Sequence, residues 1–126
     1  MDGILTLEGF DTALAEGVYL LTPFAADATD EKTVHYVTAF KEAYGETPTQ
    51  FGADAYDAVY AIYDACKAAG IDGTMSTEDI CAALIGQFTS MTFDGLTGTA
   101  TWAANGEVSK SPKAVIIENG AYAAAE

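Results

Sequence analysis

Pro48–Gly70, PTQFGADAYDAVYAIYDACKAAG, and Phe93–Glu107, FDGLTGTATWAANGE, are the two stretches whose reading decides the fold class. The first predicts one long helix over Ala53–Ala69, entered from a proline turn and ended by Gly70. Its Ala55, Val59, Ile62 and Cys66 form one stripe, with Tyr56, Tyr60 and Tyr63 alongside. So wide an apolar arc predicts packing on more than one side. The second stretch changes to strand, with Thr alternating against Ala and Trp102 from Gly98 to Ala103, and Asn105-Gly106 is a hairpin-turn dipeptide. Neither holds an evident nucleophile, base or metal cage, so the chemistry they suggest is gripping rather than reacting.

Working outward, Ile4, Leu5 and Leu7 suggest a turn or two of helix ending near Gly9 or Gly17. Gly17–Phe24, GVYLLTPF, is a short apolar run stopped by Pro23, and its length and Val/Tyr content predict a buried strand of a parallel sheet. Asp27 and Asp30 are candidate N-caps. Asp30–Tyr44 reads as an amphipathic helix with Val34, Val37, Phe40 and Tyr44 inward, Glu31, Lys32, Lys41 and Glu42 in water, and Gly45 as its left-handed stop. Ser76–Asp79, STED, starts a short helix in the manner of a capping box. Lys113–Glu118, KAVIIE, is a further strand, followed by a second tight turn at Asn119-Gly120. The order implies an α/β layered fold. Only about three strands are visible, where an open sheet commonly has 4–6, so the sheet reads as incomplete, with helices on its faces.

Composition bounds the function. Half of the 126 residues are hydrophobic, with seven Tyr, six Phe and one Trp, which is the composition of a chain with a core and argues against disorder. Nineteen Asp and Glu against five Lys and Arg give a net charge of −14, which repels a phosphate backbone and excludes nucleic acid as a partner. No run approaches the roughly 20 apolar residues a membrane span needs. Met1-Asp2-Gly3 does not resemble a signal peptide; either the protein is cytoplasmic or an export signal lies upstream. Cys66 and Cys81 are too few for a disulfide framework; they read as small buried thiols or as one disulfide, and no second Cys or His stands at metal-ligand spacing.

Four segments, AEGVYLLTPF (Ala15–Phe24), VTAFKEAYGETP (Val37–Pro48), AYDAVYAIYDA (Ala55–Ala65) and FDGLTGTATWAANGE, resemble in order and spacing the C-terminal part of type I solute-binding proteins of ABC importers, specifically the branched-chain amino acid group. The resemblance implies a fragment of the periplasmic-binding-protein type I (Rossmann-like) fold, in which two lobes close on a small ligand. On that pattern residues 1–47 belong to the second lobe. Residues 48–126 hold the hinge crossover, first-lobe helices and closing strands, and neither lobe is complete. The resemblance further implies a non-enzymatic, extracytoplasmic substrate-binding component, with a small amino acid such as leucine, isoleucine or valine as ligand, a membrane permease as partner, and no cofactor. Phe51 resembles an aromatic that lines the ligand side-chain pocket; its alternative is a core aromatic at a helix entrance. Asp2-Gly3 resembles an acidic-glycine pair whose carboxylate holds the ligand ammonium; its alternative is a solvated terminus.

Other chemistry-bearing residues carry less. His35, the only histidine, reads as a surface or half-buried packing residue. Asp54, Asp57 and Asp64 roughly share a helical face, expected to be solvated, since a calcium site would need a ligand-rich loop. Trp102 is expected to pack on the sheet. Gly95–Gly98 is no phosphate loop, lacking the Lys and the following helix. No nucleophile elbow or acid/base motif is present, so no catalytic residue is assigned. A second reading is a structural module that completes its sheet by swapping elements with a copy of itself, as a homo-oligomer.

Overall fold

A computed structural model describes residues 4–125. The chain divides into two compact units: the residues up to Ala53 together with those from Pro112 onward, and Asp54–Ser111.

The first unit opens with two short 3-10 helices, Ile4–Thr6 and Thr12–Ala15, the second capped by the Asp11 carboxylate accepting from Ala13 N–H. Strand β1, Tyr19–Thr22, follows, and α1 spans Glu31–Tyr44. The Asp30 side chain accepts from Thr33 N–H, and Gly45 closes the helix at φ 73° with its N–H donating to Lys41 C=O. Both ends match the sequence pattern, but the buried face does so only in part: Val37 is buried and Phe40 half-buried as expected, Thr33 and Tyr36 are buried beside them, and Val34 and Tyr44 face solvent. The reason is aromatic. Tyr36 meets Phe24 edge-on at 5.9 Å and Phe40 at 5.8 Å, and these ring contacts bring Tyr36, which lay outside the expected stripe, into the buried face. Strands β5, Lys113–Glu118, and β6, Ala121–Ala124, complete the unit. The sheet order is β1-β5-β6.

Every pairing in that sheet is antiparallel, Tyr19 standing opposite Ile116 and Val115 opposite Ala124, which corrects the expected parallel strand at Gly17–Phe24. For β5 and β6 the connection is the physical cause. Asn119 and Gly120 both adopt positive φ (53° and 74°), the conformation a two-residue hairpin of right-handed twist requires, so β5 folds straight back as β6. The Glu16 carboxylate accepts from Asn119 N–H at 2.9 Å and holds this turn. Val115 and Ile117, with Ala15, Thr22, Phe24 and Ala53, are buried in this unit.

The second unit contains most of α2, Gln50–Ala69, then α3, Thr77–Phe88, and strands β2, Thr92–Gly95, β3, Gly98–Trp102, and β4, Val108–Ser109. Gly70 ends α2 with paired bonds, Gly70 N–H to Lys67 C=O and Ile71 N–H to Cys66 C=O, which satisfy two terminal carbonyls. Ser76 caps α3, accepting from Asp79 N–H at 3.1 Å and donating to the Asp79 carboxylate at 2.7 Å. The sheet order is β2-β3-β4, again wholly antiparallel. Asn105-Gly106 does turn the chain, though within a three-residue loop: Gly106 N–H donates to Ala103 C=O, and Ala103 N–H to Glu107 C=O. Trp102 meets the Phe88 ring edge-on at 4.9 Å, the sheet-packing role expected of it.

On α2 the predicted inward stripe is displaced. Ala53, Asp57, Ala61 and Ala65, four residues apart, are buried, while Val59, Ile62 and Tyr63 are exposed. Small residues admit close backbone approach, so the alanine side packs and the larger apolar side remains uncovered within the described residues. The strand total also rises, to six short strands in two sheets among the described residues.

Candidate functional site

The second unit places a carboxylate where sequence reasoning expected solvent. Asp57 is 5% exposed, and its two oxygens accept from Leu96 N–H (2.8 Å), Thr97 N–H (2.8 Å) and Thr97 Oγ1–H (2.6 Å). Leu96 and Thr97 are the two-residue loop joining β2 to β3, so the hairpin tip is a small anion-binding concavity filled by the chain's own carboxylate. Gly95 makes room for it, since a Cβ there would overlap both Asp57 oxygens. The Lys110 ammonium donates to Thr97 Oγ1 and to Asp54 Oδ1 (2.9 Å). A hydroxyl between a carboxylate and an ammonium has the polarity of an activated nucleophile, but Thr97 is wholly buried and no substrate reaches it. The cluster is a clamp. Of the other two acids on the helix, Asp54 is half-buried and Asp64 exposed.

The first unit holds a half-open cavity of about 410 Å³. Leu20, Phe24 and Val115 supply apolar wall, Thr22 and Gln50 its neutral polar atoms, and Lys41 and Asp27 its charges. Thr22 Oγ1 stands 2.9 Å from Gln50 Oε1 and 3.0 Å from Phe24 C=O, and accepts from Phe24 N–H at 3.2 Å. One hydroxyl proton serves one acceptor at a time, unless Gln50 turns its NH₂ toward the hydroxyl. Near the cavity, a Cβ at Gly52 would stand 3.0 Å from the Tyr36 hydroxyl, so the first turn of α2 relies on glycine to approach α1.

Phe51 lies in that first turn, 65% exposed among the described residues, and it does not line the cavity; its neighbour Gln50 does. Asp2 and Gly3 lie outside the described residues. His35 is exposed, and both cysteines are free thiols, Cys66 half-buried and Cys81 exposed, which closes the disulfide alternative and corrects the expected burial of Cys81. Among the described residues no group of three or more His, Cys, Asp or Glu is placed to hold a metal ion, and no helix is long and apolar enough to cross a membrane. Two surface carboxyls sit below the usual range. Asp30 is lowered by hydrogen bonds from Thr33, chiefly its backbone N–H, and Asp72 by the Thr74 side chain and then its backbone N–H.

The profile of the family described as periplasmic binding protein matches residues 3–120. The chain belongs to that family. Its fold is similar to that of a leucine-binding protein, LivK, from Thermotoga maritima: 26% identity over 89% of this chain and 31% of that one, TM-score 0.67. A branched-chain amino acid transporter substrate-binding protein, LivJ, from Streptococcus pneumoniae, solved with isoleucine, is 25% identical over 91% of this chain and 31% of that one, TM-score 0.71. A solute-binding protein of an R. palustris ABC transporter, solved with benzoate, superposes at TM-score 0.74 with 17% identity, over 98% of this chain and 32% of that one. No curated protein sequence matches. The chain therefore has the type I periplasmic binding protein fold and spans about a third of the length of these solved proteins.

Proposed function

We propose that this chain is the C-terminal portion of an extracytoplasmic solute-binding component of an ABC importer, which takes a small amino acid such as leucine, isoleucine or valine by closing two lobes around it. The observation that carries the reading is the family match over residues 3–120, against solved relatives about three times as long. Residues 1–47 are then part of the second lobe, and residues 48–126 hold the hinge crossover, first-lobe helices and closing strands. Phe51 sits just past the crossover proline, and its exposed ring is available to an apolar ligand group, at roughly 25 cal/mol per Å² buried. Asp2, of the Asp2-Gly3 pair, would hold the ligand ammonium by a charge-assisted bond. No catalytic step is involved; a membrane permease reads the closed form.

The test is to read the genomic sequence upstream of Met1, express the complete reading frame and titrate it calorimetrically with leucine, isoleucine, valine and benzoate. A longer frame whose product binds an aliphatic amino acid, with binding weakened by Phe51→Ala, supports the proposal. A complete product that binds none of the aliphatic amino acids, or binds them equally well as Phe51→Ala, contradicts it.

A further inference from the structure

The chain passes between its two units twice, out at Ala53–Asp54 and back at Ser111–Pro112. The outward pass is stiff, because α2 runs unbroken from Gln50 to Ala69. The return pass is not: between the end of β4 at Ser109 and the start of β5 at Lys113, no helix or strand holds the chain. Lys110 stands in that stretch. Its ammonium donates to the Asp54 carboxylate at 2.9 Å and to Thr97 Oγ1. The last residue but one of the second unit thus reaches the first. Thr97 in turn donates to Asp57, about one turn beyond Asp54 on α2. The return pass is fastened to α2 in two ways, directly through Asp54 and through the β2–β3 tip that Asp57 holds.

An ion pair whose side chains are 23% and 42% exposed contributes little to stability. What it fixes is position. Beyond Lys110 the next anchored residue is Lys113, paired with Thr22 between β1 and β5, which leaves Ser111 and Pro112 as the free link. Both are exposed, and the proline ring locks its own φ and keeps Ser111 extended.

We propose that Lys110 is a positioning residue for movement between the units: by fastening the return pass to α2, it confines bending of that pass to Ser111-Pro112. Closure of two lobes on a ligand then meets a two-residue joint in this pass instead of a slack loop. Fewer unliganded conformers compete with the closed one, and apparent affinity rises accordingly. This consequence for binding rests on the reading of the chain as a portion of a solute-binding protein; the fastening itself does not.

Nitrogen-15 relaxation on the 126-residue chain tests the fastening. In the wild type the amides of Asp54 and Lys110 share order parameters of about 0.85, and Ser111 is the first residue to fall below them. Lys110→Met drops position 110 below about 0.6, while the Leu96 and Thr97 amides stay ordered and the urea midpoint read through Trp102 barely moves. Lys110→Arg keeps a charged donor and restores the order. Asp54→Ala, which removes the direct link and spares the Lys110–Thr97 contact, is the second variant should Lys110→Met fail to fold; it too lowers order at position 110. Unchanged order there in these variants overturns the proposal. So does a loss that spreads to Leu96 and Thr97, since Lys110 is then a support of the Asp57 clamp and nothing more. In the product of the complete reading frame, Lys110→Met raises the leucine dissociation constant about ten-fold and Lys110→Arg does not; equal affinity in Lys110→Met and wild type overturns the role in closure. A wild-type product that binds no aliphatic amino acid removes the transport reading instead, and leaves the order-parameter result standing.

Discussion

Asp57 is the residue on which the second unit turns. Three donors from the β2–β3 tip converge on its carboxylate, and Gly95 is the adjoining position where a side chain would displace it. Asp57→Ala leaves two N–H groups and a hydroxyl buried without an acceptor, at a cost of about 3 kcal/mol, measured by urea unfolding followed through Trp102 fluorescence. Gly95→Ala destabilises the wild type by pushing the carboxylate off its donors, yet costs little in the Asp57→Ala background; additive losses in that double-mutant cycle would refute the close-approach account. The sequence named both Asp57 and Gly95–Gly98 but could not join them. Their contact spans about forty residues, and acid spacing along a helix does not tell which acid finds buried N–H donors. Asp30, by contrast, was legible because a cap is a local event. Its folded-state pKa is depressed, so its contribution is present above the ordinary carboxylate value, about 3.9, and is lost as pH falls through the lower folded value. Acidification below about pH 4 therefore frays the start of α1, read as a shift of the Thr33 amide resonance that Asp30→Asn removes; a Thr33 amide that titrates identically in the variant contradicts this. Asp30→Ala costs about 1 kcal/mol.

At the scale of the elements, ends were readable and faces were not. Ser76, Gly45, Gly70 and Asn119-Gly120 act within a few residues of themselves, and each stands where the pattern put it. Which side of a helix is buried depends on what lies beside it. The stripe of Val59 and Ile62 on α2 is genuinely apolar, but the described residues pack the Ala61–Ala65 side instead. If the larger side is made to be covered by chain beyond these residues, the two faces respond oppositely in the 126-residue protein. Val59→Lys, at a residue 66% exposed, shifts stability by no more than about 0.5 kcal/mol, and lowers binding of an apolar fluorescent dye. Ala61→Leu overpacks a nearly inaccessible site and costs about 1–3 kcal/mol. A Val59→Lys loss comparable to that of Ala61→Leu would mean that the stripe is already packed. Both the direction and the burial expected of β1 escaped the sequence for a related reason: a short apolar run does not say how its strand pairs, and Tyr19 and Leu21 are exposed.

For the molecule as a whole, the α/β class and the family were visible in four segments of the right order and spacing, and the match over residues 3–120 places the chain in that family. The candidate site was less legible. Phe51 is exposed, Asp2 and Gly3 lie outside the described residues, and the cavity of the first unit draws on Thr22 and Gln50, neutral residues with no motif to announce them. In the proposed account the grip on an amino acid requires surfaces from two lobes, of which these residues supply parts. The most direct check is a calorimetric titration of the 126-residue chain with leucine. The account predicts no measurable heat of binding up to millimolar ligand, and saturable micromolar binding by this chain alone would contradict it.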